Sequence, residues 1–333
     1  MRCLCVVVPK AEGENIRKKL SEAGKLRLDA RVATDGDNVF FPVTDADGLC
    51  YPTLERDMEE ASRPKHYTEL LDLPPGLMEL LPTSFDIVGD IFVLKLIDEL
   101  LPHANAIAEA LLQTSKNAKV VALDGGVKGE YRTRDLRILA GERRTTTVQK
   151  EYGLRYGMDL ATVYFSPRLA TERKRIADMC KPGERVLDMF CGVGPFSIML
   201  AATGKPGSVY SVDLNPEAIK YMVENIKLNK IKNVSPMLGD ARVIAPQLPR
   251  PDRIIMNLPH SAIDFLDVAL GVVNPGGTIH LYMILESDAP EMMERGMLHL
   301  AASMKRNLKF SNVHEVHTYS PAQSMFCFDL LIR

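Results

Sequence analysis

The sequence contains no apolar run that approaches the length of a membrane-spanning helix, which argues against a helical membrane protein. Its N-terminal apolar stretch is too short for the core of a signal peptide and is followed at once by charged residues. The sequence also contains no repeats and no low-complexity segments. With 46% apolar and 25% charged residues in 333, we expect a globular, cytoplasmic protein of more than one domain.

The sequence also lacks the spacings of cysteine and histidine that are typical of metal sites. Its six cysteines form no C-x-x-C pair, and no group of histidines and cysteines has the spacing of zinc ligands. We therefore predict no metal site, and we expect reduced, mostly buried thiols. Cys191 lies within a glycine-rich motif, but no neighbouring histidine or acid indicates a nucleophile.

Net charge is small, at −2, which by itself argues mildly against binding of nucleic acid. The distribution is uneven, however. Residues 128–175 contain 12 Lys and Arg against 6 Asp and Glu, net +6, whereas the rest of the chain carries −8. A basic segment in an acidic protein indicates a localised anionic partner, although a solvated surface of ion pairs has the same composition.

The patterns of apolar residues divide the chain into three blocks. Residues 1–60 combine a strand, a short helix and a hairpin, and predict a small α/β domain. A polar, proline-containing linker is predicted over 61–75. Residues 76–165 predict a middle α/β domain with most of the basic segment, and residues 166–333 alternate apolar strands with helices.

The third block predicts a doubly wound, Rossmann-like sheet, because strands separated by helices run parallel. Its last two strand-like segments, SNVHEVHTYS and MFCFDLLIR, are joined by only a few residues and so pair antiparallel. The predicted fold class is therefore α/β, with a mostly parallel sheet that contains one reversed strand near an edge.

In the stretch VLDMFCGVGPFS, residues 186–197, a predicted strand is followed immediately by a loop that is rich in glycine. Gly192 and Gly194 let a ligand approach the main chain, at the edge of the sheet where such folds bind ligands. Asp213 ends the next strand, 21 residues after Gly192, at the position of an acid that binds a ribose diol. These features predict a nucleotide site.

Two features indicate which nucleotide binds. Ser197 stands where the dinucleotide fingerprint has its third glycine, and Asp188 would bring negative charge to a pyrophosphate. S-adenosylmethionine fits better, since it has a ribose and a cationic amino-acid end. Asp240, after the third strand, is predicted to accept from the adenine amino group. The alternatives from other classes are an NAD-dependent oxidoreductase and a catalytically silent RNA-binding module.

The fourth strand ends in IIMNLPH, a polar residue followed by x-Pro. Several methyltransferases hold a planar nitrogen heterocycle at this position. Asn257 offers a donor and an acceptor to a base edge, and Pro259 stiffens the loop and adds an apolar face. We predict that both residues contact the substrate base. His260, the next residue, could assist the chemistry, but we expect it to be a bystander.

Six motifs together resemble the archaeal and eukaryotic type of tRNA (guanine-37-N1)-methyltransferase. In order they are DIVGDIFVLK, GEYRTRDLRILAGERRTTT, VYFSPRLATER, LDMFCGVGPFS, VDLNPEAI and IIMNLPH. The likeness covers nearly the whole chain, most strongly its second and third blocks. It implies a monomeric, S-adenosylmethionine-dependent enzyme that methylates N1 of guanosine 37 in tRNA, beside the anticodon, and so supports maintenance of the reading frame.

The resemblance also implies a mechanism. N1 of guanine carries a proton and is not nucleophilic until that proton leaves, so a general base is needed. Glu172 is implied as the base, Arg132 as the cation against O6, and Asn257 as a residue that fixes the base edge. The predicted cofactor contacts are Phe165, Arg168, Asp188, Phe190, Gly192, Val193, Gly194, Asp213, Leu214, Asp240, Ala241, Asn257 and Pro259. The predicted substrate contacts are Arg132, Arg134, Arg143, Arg144, Tyr164 and Pro259.

In the family, the small N-terminal domain contacts the tRNA elbow, which implies that role for residues 1–60. Related enzymes of wyosine synthesis methylate a tricyclic guanosine derivative or transfer the aminocarboxypropyl group of the same cofactor. The aminocarboxypropyl enzymes typically lack the N-terminal domain, so its presence favours plain methyl transfer. Dual activity remains an open alternative at the level of sequence.

Overall fold

The computed structural model describes residues 1–333 except 28, 61–63, 65, 130, 132, 287, 288 and 321, and at 127 and 128 it describes the main chain alone. The chain divides into two compact units, Met1–Asp72 and Leu73–Arg333. The boundary falls inside the predicted linker, and the predicted division at residue 166 lies within the second unit and stays a prediction. None of the described helices has the length and apolar character that crossing a membrane requires.

In the first unit, the described residues form an antiparallel sheet of four strands and an α-helix. Its elements are β1 (Arg2–Pro9), α1 (Gly13–Glu22), β2 (Ala33–Asp35), β3 (Asn38–Pro42) and β4 (Thr53–Asp57). The strands lie in the order β2-β3-β1-β4. Side chains alternate along β1, so Val6 and Val8 pack with Ile16 of α1, whereas Cys3 and Cys5 belong to a second cluster on the other face. The predicted strand, helix and hairpin are confirmed.

The second unit begins with a smaller sheet and a separate hairpin. Its first elements are α2 (Pro75–Met78), β5 (Asp86–Val88), β6 (Ile91–Leu94), α3 (Ala104–Thr114), β7 (Val120–Lys128), β8 (Thr133–Gly141), β9 (Thr146–Glu151) and β10 (Leu154–Asp159). In the sheet β5-β6-β7-β8, the pair β6 and β7 is parallel, with α3 in the connection, and the other two pairs are antiparallel. Strands β9 and β10 form the hairpin.

A seven-stranded sheet forms the rest of the second unit. Its elements are α4 (Ala170–Met179), β11 (Arg185–Asp188), α5 (Pro195–Ala202), β12 (Ser208–Asp213), α6 (Pro216–Leu228), β13 (Val234–Leu238), α7 (Ala241–Ile244), β14 (Arg253–Met256), α8 (Leu266–Val272), β15 (Thr278–Glu286), α9 (Pro290–Ser303), β16 (Leu308–Ser320) and β17 (Gln323–Ile332). The strand order is β13-β12-β11-β14-β15-β17-β16. Strand β17 runs antiparallel to both neighbours, and the remaining pairs are parallel. The predicted Rossmann-like sheet with one reversed strand is confirmed.

Apolar side chains cover both faces of this sheet. Along β11, Val186 and Leu187 are adjacent in sequence but belong to separate buried clusters, one on each face. A parallel sheet is buried on both sides, which explains why its strands are apolar at successive positions. The strand order reverses between β11 and β14, so the loops after these strands lie at the switch point where such sheets bind ligands.

Two asparagines of α6 hold the β9–β10 hairpin. Asn225 accepts from the amide of Gly157 at 2.7 Å and donates to its carbonyl at 3.0 Å. One turn later, Asn229 accepts from the amide of Arg155 at 2.9 Å and donates to its carbonyl at 2.6 Å. Asn225 also donates to the carbonyl of Val193 at 3.1 Å. The hairpin is therefore tied both to α6 and to the glycine loop.

Candidate functional site

The glycine loop connects β11 to α5 at the carboxyl edge of the large sheet. Gly192 and Gly194 have φ angles of +54° and +87°, which side chains disfavour. A Cβ on Gly194 would also lie 2.9 Å from Cγ of Met222. Pro195 begins α5, where its missing amide is not needed. The path of this loop therefore requires the glycines that the motif supplies.

Asp213, at the end of β12, holds the loop in place. Its Oδ2 accepts from the amide of Gly192 at 2.7 Å, and its Oδ1 accepts from the amide of Asn215 at 2.9 Å. Burial raises the pKa of this carboxyl. Each oxygen of a carboxylate has two lone pairs, so Asp213 can still accept hydrogen bonds from a ribose diol.

Asp188, the last residue of β11, is 1% exposed. Its Oδ2 accepts from the hydroxyl of Ser197 at 2.7 Å, and Ser211 donates in turn to Ser197 at 2.8 Å. Its Oδ1 is buried and receives no hydrogen bond from the residues that the structure describes. Burial raises the pKa of this carboxyl to about 7. A cationic donor at Oδ1 would complete the hydrogen bonding and favour the ionised form.

Asn257 follows β14, the parallel neighbour of β11, and therefore lies at the same edge of the sheet as Asp188. Its Oδ1 is likewise buried without a donor in the described part of the chain. Buried acceptors are normally paired, so two unpaired oxygens at one edge indicate that a ligand or water completes the site. The ammonium group of S-adenosylmethionine and the N–H groups of guanine are donors of the required kind.

The loop after β13 carries the third predicted acid. Asp240 caps α7, because its carboxylate accepts from the amide of Arg242 at 2.8 Å. Phe190, in the glycine loop, meets Phe265 edge to face with 4.9 Å between ring centroids. The guanidinium carbon of Arg242 lies 3.6 Å from the centroid of the Phe265 ring. The sequence motifs did not identify Phe265 or Arg242, which lie outside them.

The remaining predicted cofactor residues differ in exposure. Val193 and Ala241 are buried, whereas Leu214 is 44% exposed. The carbonyl of Pro259 accepts from the amide of Ile284 on β15 at 3.1 Å, which fixes the loop after β14 against the next strand. The ring of His260 packs edge to face on Tyr319, with 5.7 Å between centroids.

Two residues predicted to contact ligands are buried. Phe165 is 2% exposed and the guanidinium of Arg173 stacks over its ring at 4.8 Å, so its side chain packs in the core, and its contact with the cofactor stays a prediction. The side chain of Arg134 is 8% exposed and donates to Asp86 and Asp124 at 3.0 and 3.4 Å. Two carboxylates pair with this arginine, and its contact with the substrate stays a prediction.

The other predicted substrate residues are placed as follows. Arg144 is paired with Asp90 and Glu142, both at 2.6 Å, and its side chain is 26% exposed. Arg143 is exposed, and Tyr164 is 39% exposed. Arg168 is also exposed and donates to Asp86 at 2.9 Å. Arg132 lies outside the described residues.

Glu172, in the first turn of α4, is 5% exposed. Arg175 donates to both of its carboxylate oxygens at 2.8 and 2.7 Å, and the hydroxyl of Tyr282 donates to Oε1 at 2.7 Å. Nε2 of His314 lies 3.3 Å from Oε2. Burial raises the pKa of this carboxyl, but the hydrogen bonds from Arg175 and Tyr282 outweigh burial, and the pKa lies below its ordinary value. The predicted base is therefore held in its ionised form at neutral pH.

The bonds continue from Arg175 into the large sheet. Arg175 donates to both oxygens of Asp329 on β17, at 2.7 and 3.2 Å. Asp329 lies 2.5 Å from Nδ1 of His280, whose Nε2 lies 2.6 Å from Nη1 of Arg253. A guanidinium can only donate, so Nε2 of His280 accepts and Nδ1 carries the proton directed at Asp329. Burial lowers the pKa of His280, which favours this neutral form.

His280, Cys327 and Asp329 are close enough together to hold a metal ion. Arg253 and Arg175, however, already bond to the histidine and to the carboxylate. Two guanidiniums at these atoms repel a cation, so the arrangement is a buried network of charges rather than a metal centre. The sequence missed this network. The spacing of three residues between Glu172 and Arg175 on one helix was its only local signal.

A basic cleft of about 870 Å³ lies on the second unit, beside the β9–β10 hairpin. Its lining includes Lys116, Lys119, Arg144 and Lys150 together with Asp90. The three lysines are exposed, and none forms an ion pair with a residue that the structure describes. The cleft therefore presents uncompensated positive charge of the kind that contacts phosphates.

Three family models match the chain. They are the TRM5/TYW2 methyltransferase domain over residues 147–310, the TYW2 N-terminal domain over 67–145 and the tRNA methyltransferase 5 N-terminal domain over 5–48. The tRNA (guanine(37)-N(1))-methyltransferase Trm5b of Pyrococcus abyssi is 46% identical over 282 residues, which are 84% of this chain and 83% of the relative. A tRNA(Phe) (4-demethylwyosine(37)-C(7)) aminocarboxypropyltransferase of Pyrococcus horikoshii is 35% identical over 211 residues, 63% of this chain and 75% of the relative.

Solved structures also resemble the chain, two of them over almost its whole length. The crystal structure of Trm5b from Pyrococcus abyssi has a TM-score of 0.75 at 41% identity and covers 99% of both chains. A complex of aTrm5 with tRNALeu has a TM-score of 0.73 at 32% identity and covers 99% of this chain and 100% of the other. M. jannaschii TYW2 in complex with AdoMet has a TM-score of 0.58 at 27% identity and covers 75% of this chain and 99% of the other. The resemblance drawn from the motifs is confirmed: the chain belongs to the TRM5/TYW2 methyltransferase family.

Proposed function

We propose that this protein transfers the methyl group of S-adenosylmethionine to N1 of guanosine 37 in tRNA. The observation that carries the proposal is the 46% identity, over 84% of the chain, with a relative named for that reaction. The match of residues 5–48 to the tRNA methyltransferase 5 N-terminal domain favours this reaction over aminocarboxypropyl transfer, whose relative aligns over 63% of the chain.

The residues at the carboxyl edge of the sheet fit this cofactor. The unpaired oxygen of Asp188 would accept from its ammonium group, Asp213 from its ribose, and Asp240 from its adenine. Bound there, the cofactor supplies an electrophilic methyl group. The unpaired oxygen of Asn257 would accept from an N–H group of the base that enters beside it.

The proton on N1 of guanine must be removed before N1 can accept a methyl group. Glu172 would remove it, which frees the lone pair on N1 as the nucleophile. The bound cofactor would supply the methyl group from its sulfonium, so that the new N–C bond would form as the C–S bond breaks and S-adenosylhomocysteine leaves. Negative charge that develops on O6 needs a cation, and Arg132 is proposed for that role from the motif GEYRTR. Guanosine 37 must leave its stack to reach these residues, and contacts to the tRNA backbone would offset that cost. From its unpaired cysteines and its substrate, we further infer a cytoplasmic protein, and the resemblance implies a monomer.

The decisive experiment uses two unmodified tRNA transcripts with labelled S-adenosylmethionine, one with guanosine and one with adenosine at position 37. We expect label in the first transcript alone, recovered as 1-methylguanosine. Equal label in both would show that the target lies elsewhere in the tRNA. Absence of label, with the cofactor bound, would favour a modified guanosine or aminocarboxypropyl transfer.

The basic cleft should contribute to tRNA affinity. We expect each of Lys116→Glu, Lys119→Glu and Lys150→Glu to weaken tRNA binding several-fold and to reduce the slope of log Kd against log salt by about one unit. Cofactor affinity should not change. Lys309→Glu is the matched control, because this exposed lysine lies on β16, at the edge of the large sheet opposite β13, and does not line the cleft. Filter binding over a salt series measures the effect, and equal losses in the control would remove the cleft from the interface.

The N-terminal unit should act in tRNA binding alone. We expect a fragment that begins at Leu73 to bind S-adenosylmethionine like the full chain, because the cofactor residues all lie in Leu73–Arg333. Its affinity for tRNA should fall, since the fragment loses the domain proposed to contact the elbow. Calorimetric titration with each ligand tests both statements. Loss of cofactor binding in a folded fragment would contradict this division of roles.

A further inference from the structure

We propose that Arg175 is a positioning residue for methyl transfer, because it bridges Glu172 to Asp329 and so orients the base and keeps it charged inside the protein. The inference rests on the proposed function, since it takes Glu172 as the group that removes the N1 proton. It concerns a residue outside the glycine loop and the N-L-P segment, on the same helix as Glu172 but one turn further along.

The bridge uses two different edges of one guanidinium. Nε and Nη2 of Arg175 bond to the two oxygens of Glu172, and Nη1 and Nη2 bond to the two oxygens of Asp329. The carboxylate side chains are 6% and 0% exposed, whereas the arginine side chain is 26% exposed. A planar fork is needed to hold both carboxylates at fixed angles, and an ammonium group cannot reproduce it.

Arg175 also provides the charge that Glu172 requires. A carboxyl group buried this deeply would favour its neutral form unless a cation faced it. Tyr282 is a neutral donor, because burial raises the pKa of its hydroxyl well above the usual range. Nε2 of His314 lies 3.3 Å from Oε2 of Glu172, and the amide nitrogen of Asn312 lies 3.0 Å from its Nδ1. A guanidinium, unlike an imidazole, does not lose its charge at any pH that the protein experiences. Among the described contacts of Glu172, Arg175 is therefore the permanent positive charge.

Strand β17 supplies the other charged and titratable neighbours of the bridge. Cys327 lies 3.4 Å from Nη2 of Arg175, and burial raises the pKa of its thiol, which keeps it neutral. Burial raises the pKa of Asp329, but hydrogen bonds from His280 and Arg175 lower it far more, so this residue stays ionised. Its negative charge attracts Arg175 into place and partly offsets the effect of the arginine on Glu172.

The test is the pH dependence of the single-turnover rate of methyl transfer. A base works only when deprotonated, so the rate falls as the pH drops through its pKa. In the native protein Arg175 holds that pKa low. The acid limb is the part of the pH–rate profile in which the rate falls toward low pH. We expect Arg175→Met to move this limb to higher pH by more than one unit, and the rate at high pH to return to within about tenfold of the native rate. Arg175→Lys, which keeps the charge but not the fork, should move the limb less.

A merely structural role would lower the rate by one factor at every pH and leave the limb in place, which would overturn the proposal. Should Arg175→Met fail to fold, Arg175→Gln gives a second test. It removes the positive charge but keeps amide donors, so the acid limb should again move upward, and an absent shift contradicts the bridge. Glu172→Gln separates the role of Glu172 from that of Arg175. An active Glu172→Gln variant overturns the role of Glu172 as base. If Glu172→Gln is inactive but Arg175→Met leaves the acid limb unshifted, only the role of Arg175 is overturned.

Discussion

Replacement of Glu172 by glutamine should lower the single-turnover rate of methyl transfer by about 10²–10⁴-fold, the usual contribution of a general base. Glutamine keeps the shape of the side chain and can still accept from Tyr282 and Arg175 at one oxygen. It cannot take the proton from N1, so the nucleophile forms rarely. The rate is measured with saturating labelled S-adenosylmethionine and tRNA, so that weaker binding does not contribute.

Glu291→Gln is the matched control for this variant. Glu291 also lies in the first turn of a helix, α9, but it is exposed. Its replacement should leave the rate unchanged. Cofactor and tRNA affinities of Glu172→Gln should stay near those of the native protein, which separates a loss of chemistry from a loss of binding. A rate within a few-fold of the native value would assign the proton transfer to another group.

Replacement of Glu151 by alanine should lower the free energy of unfolding by about 3–5 kcal/mol, the cost of leaving a buried charge without its partner. Glu151 and Arg173 form an ion pair in which each side chain is 2% exposed, and Nη1 of the arginine lies 2.7 Å from both carboxylate oxygens. Arg173 follows Glu172 on α4, so the substitution should also loosen the start of that helix. Urea denaturation followed by circular dichroism measures the effect.

The ion pair between Lys174 and Asp178 provides the comparison within the same helix. Its side chains are 41% and 59% exposed, so water screens their charges. Asp178→Ala should change the free energy of unfolding by less than about 1 kcal/mol, since exposed pairs contribute little. Similar losses of unfolding free energy in the two variants would mean that burial does not determine how much the ion pair of Glu151 and Arg173 contributes to stability.

Local motifs in the sequence predict the parts of the site that depend on main-chain conformation. Gly194 is an example: a short stretch defines its turn, its positive φ angle and the helix that follows. The reversal of β17 is also predictable, because a connection of a few residues permits only antiparallel pairing. Such features arise within short stretches of chain, where composition and spacing act directly.

The partners of the charged residues follow from tertiary structure and are not encoded locally. Arg175 and Asp329 are 154 residues apart, and they meet because β17 lies between β15 and β16 in the sheet. Arg134 belongs to a basic segment, and composition cannot reveal that Asp86 and Asp124 enclose it. Phe165 follows an exposed tyrosine, and only the packing of Arg173 on its ring shows that it is a core residue.

The asparagines of α6 have a consequence for the solubility of the hairpin. Four residues along a helix advance about 6 Å, and two residues along a strand advance about 6.6 Å. Amide side chains one helical turn apart can therefore follow alternate residues of a strand. Asn225 and Asn229 bond in this way to Gly157 and Arg155, with the donors and acceptors that a third strand would offer. The unpaired edge of a two-stranded ribbon can pair with other chains and so cause aggregation. At the outer edge of β10 the asparagines occupy these hydrogen-bonding groups along this stretch, so other chains cannot pair there.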